Sequence, residues 1–249
     1  MALRDTVQNW ELLGRTDPLW AVLSRKQFKE GKWDVGEFFK SGEREVREVM
    51  EYIGRFPIPL AHQRALDFGC GVGRLTQALA HHFPEVYGVD CAPSMIRLAE
   101  HYNRHGQRCR YLLNTVDDLS MFPDHHFDFI YSAITLQHIE PYYAKRYIGE
   151  LVRVLAAHGL FVFQLPTSQE QRTAVRNSIT KRLLKYVVPS WALSRYRRAR
   201  YGQAGFIETY GVPRADVVQL LESRGARILD VLETGRKRGR IDFRYCVTT

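Results

Sequence analysis

The chain has 249 residues, 45% of them hydrophobic and 25% charged, and a formal net charge of +9. That length suits one α/β domain with a substantial core plus extensions, and the composition is that of a soluble globular protein. No apolar run approaches the roughly 18 residues of a membrane-spanning helix. The first residues, Met1-Ala2-Leu3-Arg4-Asp5-Thr6, lack the apolar centre of a secretory leader. Cys70, Cys91, Cys109 and Cys246 form no C-x-x-C pair, so neither a zinc site nor a disulfide framework is expected, and a reducing cytoplasm is the expected setting.

Residues 1–60 read as a helical extension. Trp10, Leu12, Leu13, Leu19, Trp20, Val22 and Leu23 supply apolar bulk around Asp17-Pro18, a helix-start pair. A looser stretch with Gly31, Trp33, Gly36, Phe38 and Phe39 follows. Val46, Val49, Met50 and Ile53 then recur at helical spacing, which predicts a helix from about Ser41 to Phe56, ended by Pro57 and Pro59.

Residues 61–166 alternate between strand and helix patterns. Strands are expected near 64–68, 85–90, 109–113, 127–132 and 159–165, with helices over Leu75–His82, Ser94–His105 and Tyr143–Leu155. Such alternation predicts a parallel sheet with helices on both faces. The first strand runs into Ala65-Leu66-Asp67-Phe68-Gly69-Cys70-Gly71-Val72-Gly73, and the second ends on Asp90, 17 residues after Gly73. Glycines admit a ligand close to the backbone, a helix start offers unpaired N–H groups, and a carboxylate at this distance accepts from ribose hydroxyls. The layout therefore predicts a nucleoside-bearing cofactor. It is not the dinucleotide pattern G-x-G-x-x-G, because Arg74 occupies the sixth position.

Residues 167–210 interrupt the alternation, and 211–249 resume it with a helix and two strands, 227–232 and 241–247. The connection Gly235-Arg236-Lys237-Arg238-Gly239 predicts a closing hairpin whose last strand is antiparallel to the rest. Nine basic residues and no acidic one fall between Arg172 and Arg200, which accounts for the whole charge excess. With Ile179, Leu183, Leu184, Val187, Val188, Trp191, Leu193 and Tyr196 on its apolar side, this segment reads as a helical substrate lid with a solvated basic face. A second reading lays it on an anionic membrane, where it would admit a lipid-linked acceptor. No nucleic-acid-binding module accompanies the charge, so nucleic acid is not an expected partner.

Taken in order, the motifs resemble those of class I S-adenosylmethionine-dependent methyltransferases of the small-molecule type. Leu66–Gly73 resembles the family's first motif, and Tyr87-Gly88-Val89-Asp90-Cys91-Ala92-Pro93-Ser94-Met95 its second. Val116-Asp117-Asp118-Leu119, Phe122-Pro123-Asp124 and Phe127-Asp128 match the adenine-side segment and fourth strand, and Leu136-Gln137-His138-Ile139 the signature after it. The match is strong over about 60–165. The family's Pro-Gly-Gly before the fifth strand is Ala157-His158-Gly159 here, with Gly159 expected in the permissive position. Thr115 replaces the usual adenine-side Asp.

The resemblance implies a doubly wound, seven-stranded, mostly parallel sheet with an N-terminal helical cap and a helical insertion before strand 6, all one domain over 1–249. It implies S-adenosylmethionine as cofactor, held by Asp67, Gly69, Cys70, Gly71, Asp90, Cys91, Met95, Val116, Asp117, Ser132 and Ala133. Gly69, Cys70 and Gly71 would line the methionine and ribose through backbone atoms. Asp67 would position the ammonium, Asp90 would accept from the ribose hydroxyls, and Met95 would pack on the adenine. Asp117 would bond the adenine amine, and Ser132 and Ala133 would lie by the methionine. The expected reaction is methyl transfer to an oxygen, less readily a nitrogen, of a small molecule such as a glycan or specialised metabolite. His138 is the candidate base, with Tyr142, Tyr143, His125 and His126 behind it. A metal is not expected, since Glu140, Asp124 and Asp128 lack ligand spacing, and Asp128 suits a strand edge instead. Two rivals stay open: aminopropyl transfer in the same pocket, against which Asp67 argues, and a non-catalytic protein of this fold that uses its basic insertion for membrane or partner binding.

Overall fold

The computed structural model describes residues 3–168, 207–237 and 240–249. The expected lid or membrane segment at 172–200 lies outside the described residues. Helix α1 (Leu3–Thr16) is followed at once by α2 (Pro18–Val22), where Pro18 needs no N–H partner at the first helical position. Asp17, just before it, turns its carboxylate to the backbone N–H groups of Glu30 and Gly31, at 2.6 and 3.3 Å, and so fixes the following loop.

Helix α3 (Val35–Ile53) starts well before the expected Ser41. The Asp34 carboxylate accepts from the Glu37 N–H at 2.8 Å, a start signal of the Asp-x-x-Glu kind, so Gly36, Phe38 and Phe39 form the first turns of the helix. Phe38, Val46 and Val49 are fully buried on its inner face. Each such side chain contributes about 1.5–3 kcal/mol over leaving it in water.

The sheet begins with β1 (Arg64–Phe68), after which come α4 (Arg74–Leu79), β2 (Glu85–Asp90), α5 (Pro93–Tyr102) and β3 (Cys109–Leu113). β4 (Phe127–Ser132), α6 (Pro141–Arg153) and β5 (Leu155–Ser168) follow, then α7 (Arg214–Ser223), β6 (Arg227–Lys237) and β7 (Arg240–Thr248). The strand order is β3-β2-β1-β4-β5-β7-β6. β1 to β5 run parallel, and β7 is antiparallel to both β5 and β6, as the closing hairpin requires. The chain steps outward from β1 to β3 and then returns to β4 on the other side of β1. That reversal opens a crevice beyond the carboxyl ends of β1 and β4, where open α/β sheets take ligands.

Both faces of the sheet are covered. Leu66, Phe68, Ile130, Phe161 and Phe163 pack with α6 and α7 on one side, while Ala65, Phe129, Tyr131 and Val162 pack with α3 and α4 on the other. Strands buried on two faces read as continuous apolar runs, and β4 is buried at all its positions. A third cluster joins Leu13, Leu19, Trp33 and Phe38 to Val72, Ala92 and Met95, and so presses the N-terminal cap onto the strand ends.

β5 is longer than 159–165. Its first residue pairs with Phe127, the register then shifts, and the Ala157-His158-Gly159 step lies inside the strand. His158, not Gly159, takes the left-handed backbone (φ 60°). Gly159 instead passes the Asp128 carbonyl so closely that a Cβ would crowd it. Asp128 does serve a strand edge, accepting from the N–H groups of Gln63 and Arg64 at 2.8 and 2.7 Å.

Candidate cofactor site

The turn after β1 is held against β2 by two backbone bonds, from the N–H groups of Gly69 and Cys70 to the Val89 carbonyl, at 2.8 and 3.0 Å. This shape needs positive φ at Gly69 (82°) and Gly71 (53°), and a Cβ at Gly69 would collide with the Thr135 side chain. At the end of β2 the Asp90 carboxylate accepts from the Gly71 and Ala92 N–H groups, both at 2.9 Å. Burial pushes this carboxyl above the usual range, and the N–H donors of Ala92, Gly71 and Cys91 pull it back. A carboxylate offers about four lone-pair directions, so these donors leave capacity for a ligand hydroxyl.

A cavity lies over this turn at the crevice predicted by the strand order. Gly69, Cys70, Gly71, Asp90, Cys91, Met95, Ala133 and His138 all line it. Four other candidates do not. Asp67 lies beneath the turn, 1% exposed, with one carboxylate oxygen accepting from Thr76 Oγ1 at 2.7 Å and the other without a partner. Burial raises its pKa to about 7 against the Thr76 bond and the Arg74 charge. Ser132 is fully buried and donates to the Phe68 carbonyl, which ties β4 to β1. Val116 is 52% exposed beyond the rim, and Asp117 pairs with Arg146 at 3.0 Å. On the adenine side it is Asn114 that lines the cavity. Its amide donates to the Asp118 carbonyl and accepts from the Val116 N–H, bracing the loop that Thr115 and Asp117 occupy.

His138 reaches the cavity, but both ring nitrogens are engaged. Nδ1 bonds the Glu208 carbonyl, which can only accept, so Nδ1 carries the proton; Nε2 then accepts from the Gln137 amide at 3.1 Å. Burial lowers the ring pKa, the Glu208 bond opposes that, and the Arg240 charge lowers it further. His138 is thus a neutral ring that fixes the returning segment at 207–210, with the Trp10 ring against it at 5.4 Å. Proton abstraction by this ring has no free nitrogen to use. The lesser candidates are elsewhere. His125 and His126 precede β4 at the amino-terminal ends of the strands, opposite the cavity, where His125 bonds the Leu155 carbonyl and His126 meets Arg64. Tyr142 and Tyr143 lie outside the cavity wall.

The N-terminal cap supplies a second wall that the motifs did not show. Leu3, Thr6 and Trp10 of α1 and Ala21 to Arg25 at the end of α2 face the strand ends across the cavity. Arg74 also lines it, buried to 3% exposure, with its guanidinium on Glu45 at 2.7 Å and Ser41 at 3.4 Å. Glu45 in turn accepts from Tyr131 at 3.0 Å. Of these residues only Arg74 carries a sequence signal, since it breaks the dinucleotide pattern.

The glycine cradle, the residual lone-pair capacity of Asp90 and the cavity above them fit a nucleoside-bearing ligand. Comparison with known proteins agrees. A family described as "Methyltransferase domain" matches residues 66–163. A trans-aconitate 2-methyltransferase of Variovorax paradoxus is 27% identical over 208 residues, covering 81% of this chain and 71% of that protein. A ubiquinone biosynthesis O-methyltransferase of Xylella fastidiosa is 34% identical over 91 residues, 36% of this chain and 37% of that protein. The chain spans about half the length of most curated relatives it matches, 52% for a trans-aconitate 2-methyltransferase of Methylobacterium nodulans. Among solved structures, a SAM-dependent methyltransferase of Leishmania major superposes with a TM-score of 0.64 at 13% identity, covering 99% of this chain and 82% of that one. Magnesium protoporphyrin IX methyltransferase of Synechocystis PCC 6803, with bound SAH, gives 0.56 at 17% identity, with coverages of 91% and 93%.

Proposed function

Because the chain belongs, through residues 66–163, to the class I S-adenosylmethionine-dependent methyltransferases, we propose that it transfers a methyl group to an oxygen of a small-molecule acceptor. The observation that carries this reading is Asp90. Its carboxylate is oriented by the Gly71 and Ala92 N–H groups at the edge of the cavity and keeps lone pairs for a ribose diol. Gly69, Cys70 and Gly71 would hold the methionine side, with Met95 and Asn114 at the adenine. Bound there, S-adenosylmethionine supplies a methyl already activated by its sulfonium. The protein's part is to align the acceptor and keep water away. Trp10, Leu3, Ile134 and Ile207 give the cavity an apolar surface suited to that exclusion. The oxygen acceptor is supported by relatives named as O-methyltransferases.

Titration calorimetry with S-adenosylmethionine and S-adenosylhomocysteine tests the reading. Wild type should bind both in the micromolar range. Asp90→Ala removes hydrogen bonds to a charged group, each about 1.5–3 kcal/mol, and should weaken binding roughly 10- to 100-fold. Asp90→Asn keeps the side-chain shape and should lose less. No binding by folded wild type would overturn the assignment.

A further inference from the structure

We propose that the acceptor atom is a carboxylate oxygen, so that the product is a methyl ester, with Arg25 facing the acceptor's negative charge. This rests on the methyl-transfer reading above and specifies its substrate class.

The argument starts from proton balance. A neutral hydroxyl that gains a methyl must lose a proton, so a site for alcohols needs a positioned base. A carboxylic acid, with an ordinary pKa of about 4, arrives already ionised near neutral pH. Its oxygen lone pair forms the new O–CH3 bond while the S–CH3 bond breaks and its electron pair passes to sulfur. The carboxylate and sulfonium charges cancel, and no proton moves.

The described residues of the cavity wall match the second case. His138 donates its Nδ1 proton to the Glu208 carbonyl, and Nε2 accepts from the Gln137 amide. Asp90 accepts from the Gly71 and Ala92 N–H groups, and its remaining lone-pair capacity is the part assigned above to the cofactor's ribose hydroxyls. The Tyr147 hydroxyl donates to the Val116 carbonyl, and burial holds the Cys70 and Cys91 thiols protonated. Among the described lining residues, no acid–base group presents a free lone pair to an acceptor.

The charge of the wall points the same way. Arg74 is neutralised by Glu45, but Arg25 has no carboxylate partner among the described ion pairs. Its guanidinium lies 5.8 Å from the centroid of the Trp33 ring, and Trp33 is itself held by its indole N–H on the Leu23 carbonyl at 3.2 Å. A cation held on an aromatic face at the cavity wall, with no carboxylate partner among the described residues, favours an anionic ligand over a neutral one.

The test uses the full chain, methyl-labelled S-adenosylmethionine, and two acceptor pools. One holds octanoate, hydrocinnamate and trans-aconitate; the other holds the matching alcohols and amines. Alkali releases labelled methanol from methyl esters and leaves ethers and methylamines intact. We expect alkali-labile label from the carboxylate pool alone, with kcat/KM flat between about pH 6 and 9, where a titrating base would impose a slope. Arg25→Gln should raise KM about tenfold with kcat retained. Calorimetry on S-adenosylhomocysteine-saturated protein should show the same tenfold loss of affinity for the carboxylate probe. Alkali-stable label, or none from the carboxylate pool in protein that binds S-adenosylhomocysteine, overturns the proposal and leaves the methyltransferase reading standing. Weakened S-adenosylhomocysteine binding in Arg25→Gln reassigns the arginine to the cofactor's own carboxylate and overturns its acceptor role. Failure of wild type to bind S-adenosylhomocysteine at all removes both readings together.

Discussion

The strand-end wall of the cavity, from Gly69 to Gly71 with Asp90, is held by backbone bonds between neighbouring strands. The cap wall of α1 and α2 is held by side chains that reach across the chain, such as Glu11 on the Ser94 N–H, 83 positions away. The first arrangement depends on φ values and strand order, so it suits a ligand portion that never changes. The second depends on individual side chains, so it can be retuned without disturbing the sheet. On the proposed reading, cofactor recognition would belong to the first wall and acceptor recognition to the second.

The largest expected effect comes from removing the support under the strand-end wall. Arg74 follows the glycine turn and is 3% exposed, with its charge balanced by Glu45 of α3. Glu45→Ala would leave a buried guanidinium uncompensated and free the Tyr131 hydroxyl, a cost of about 3–5 kcal/mol. Urea denaturation should show that loss, along with weaker S-adenosylhomocysteine binding. A loss below 1 kcal/mol would mean that the wall does not lean on this pair.

Asp67 sharpens the same contrast through pH. Burial raises its pKa to about 7, while the unfolded chain would have the ordinary value near 4. Between these values the folded state keeps a proton that the unfolded state has released. Stability therefore falls as pH rises from about 4 to about 7, then levels off. The effect is on the order of 2–4 kcal/mol. Asp67→Asn should flatten it, measured by denaturation at pH 5 and pH 8. A wild-type profile without this slope would show that the unpartnered oxygen is better solvated than the structure indicates.

How much was legible follows from how each part is held. β1 to β4 fell where alternation and apolar runs put them, because short-range pattern decides a strand buried on two faces. The start of α3 was missed although Asp34 and Glu37 announce it, since Trp33 and Gly36 disguised the period. The orientation of Asp67 was not legible, because sequence order says that an acid ends a strand, not that its carboxylate meets Thr76 beneath the turn. Likewise His138 reads as a free base until its Nδ1–H is seen to donate to the Glu208 carbonyl, 70 positions on. Trp10 and Arg25 carry no motif at all: they reach the cavity only through packing of the cap, which no local pattern encodes.

The smallest expected effect tests whether the cap wall is separable from the other. Glu11 accepts from the Ser94 N–H at 2.8 Å, capping α5 from α1, and pairs with Arg15. Partial burial would raise its pKa, but the Ser94 and Arg15 bonds outweigh burial and hold it below the usual range. A depressed carboxyl contributes its stability in full above the unfolded value near 4.3 and loses it as pH falls through the folded value. Glu11→Gln should cost about 1 kcal/mol, the scale of a lost cap, and should remove that acid dependence from the attachment of α1. Hydrogen exchange reads it directly. Amides of 3–16 should exchange faster in the variant while those of β1 and β2 hold, and S-adenosylhomocysteine affinity should change less than acceptor KM. If β1 and β2 loosen together with α1, the two walls form one cooperative unit, and acceptor recognition cannot be tuned apart from the cofactor.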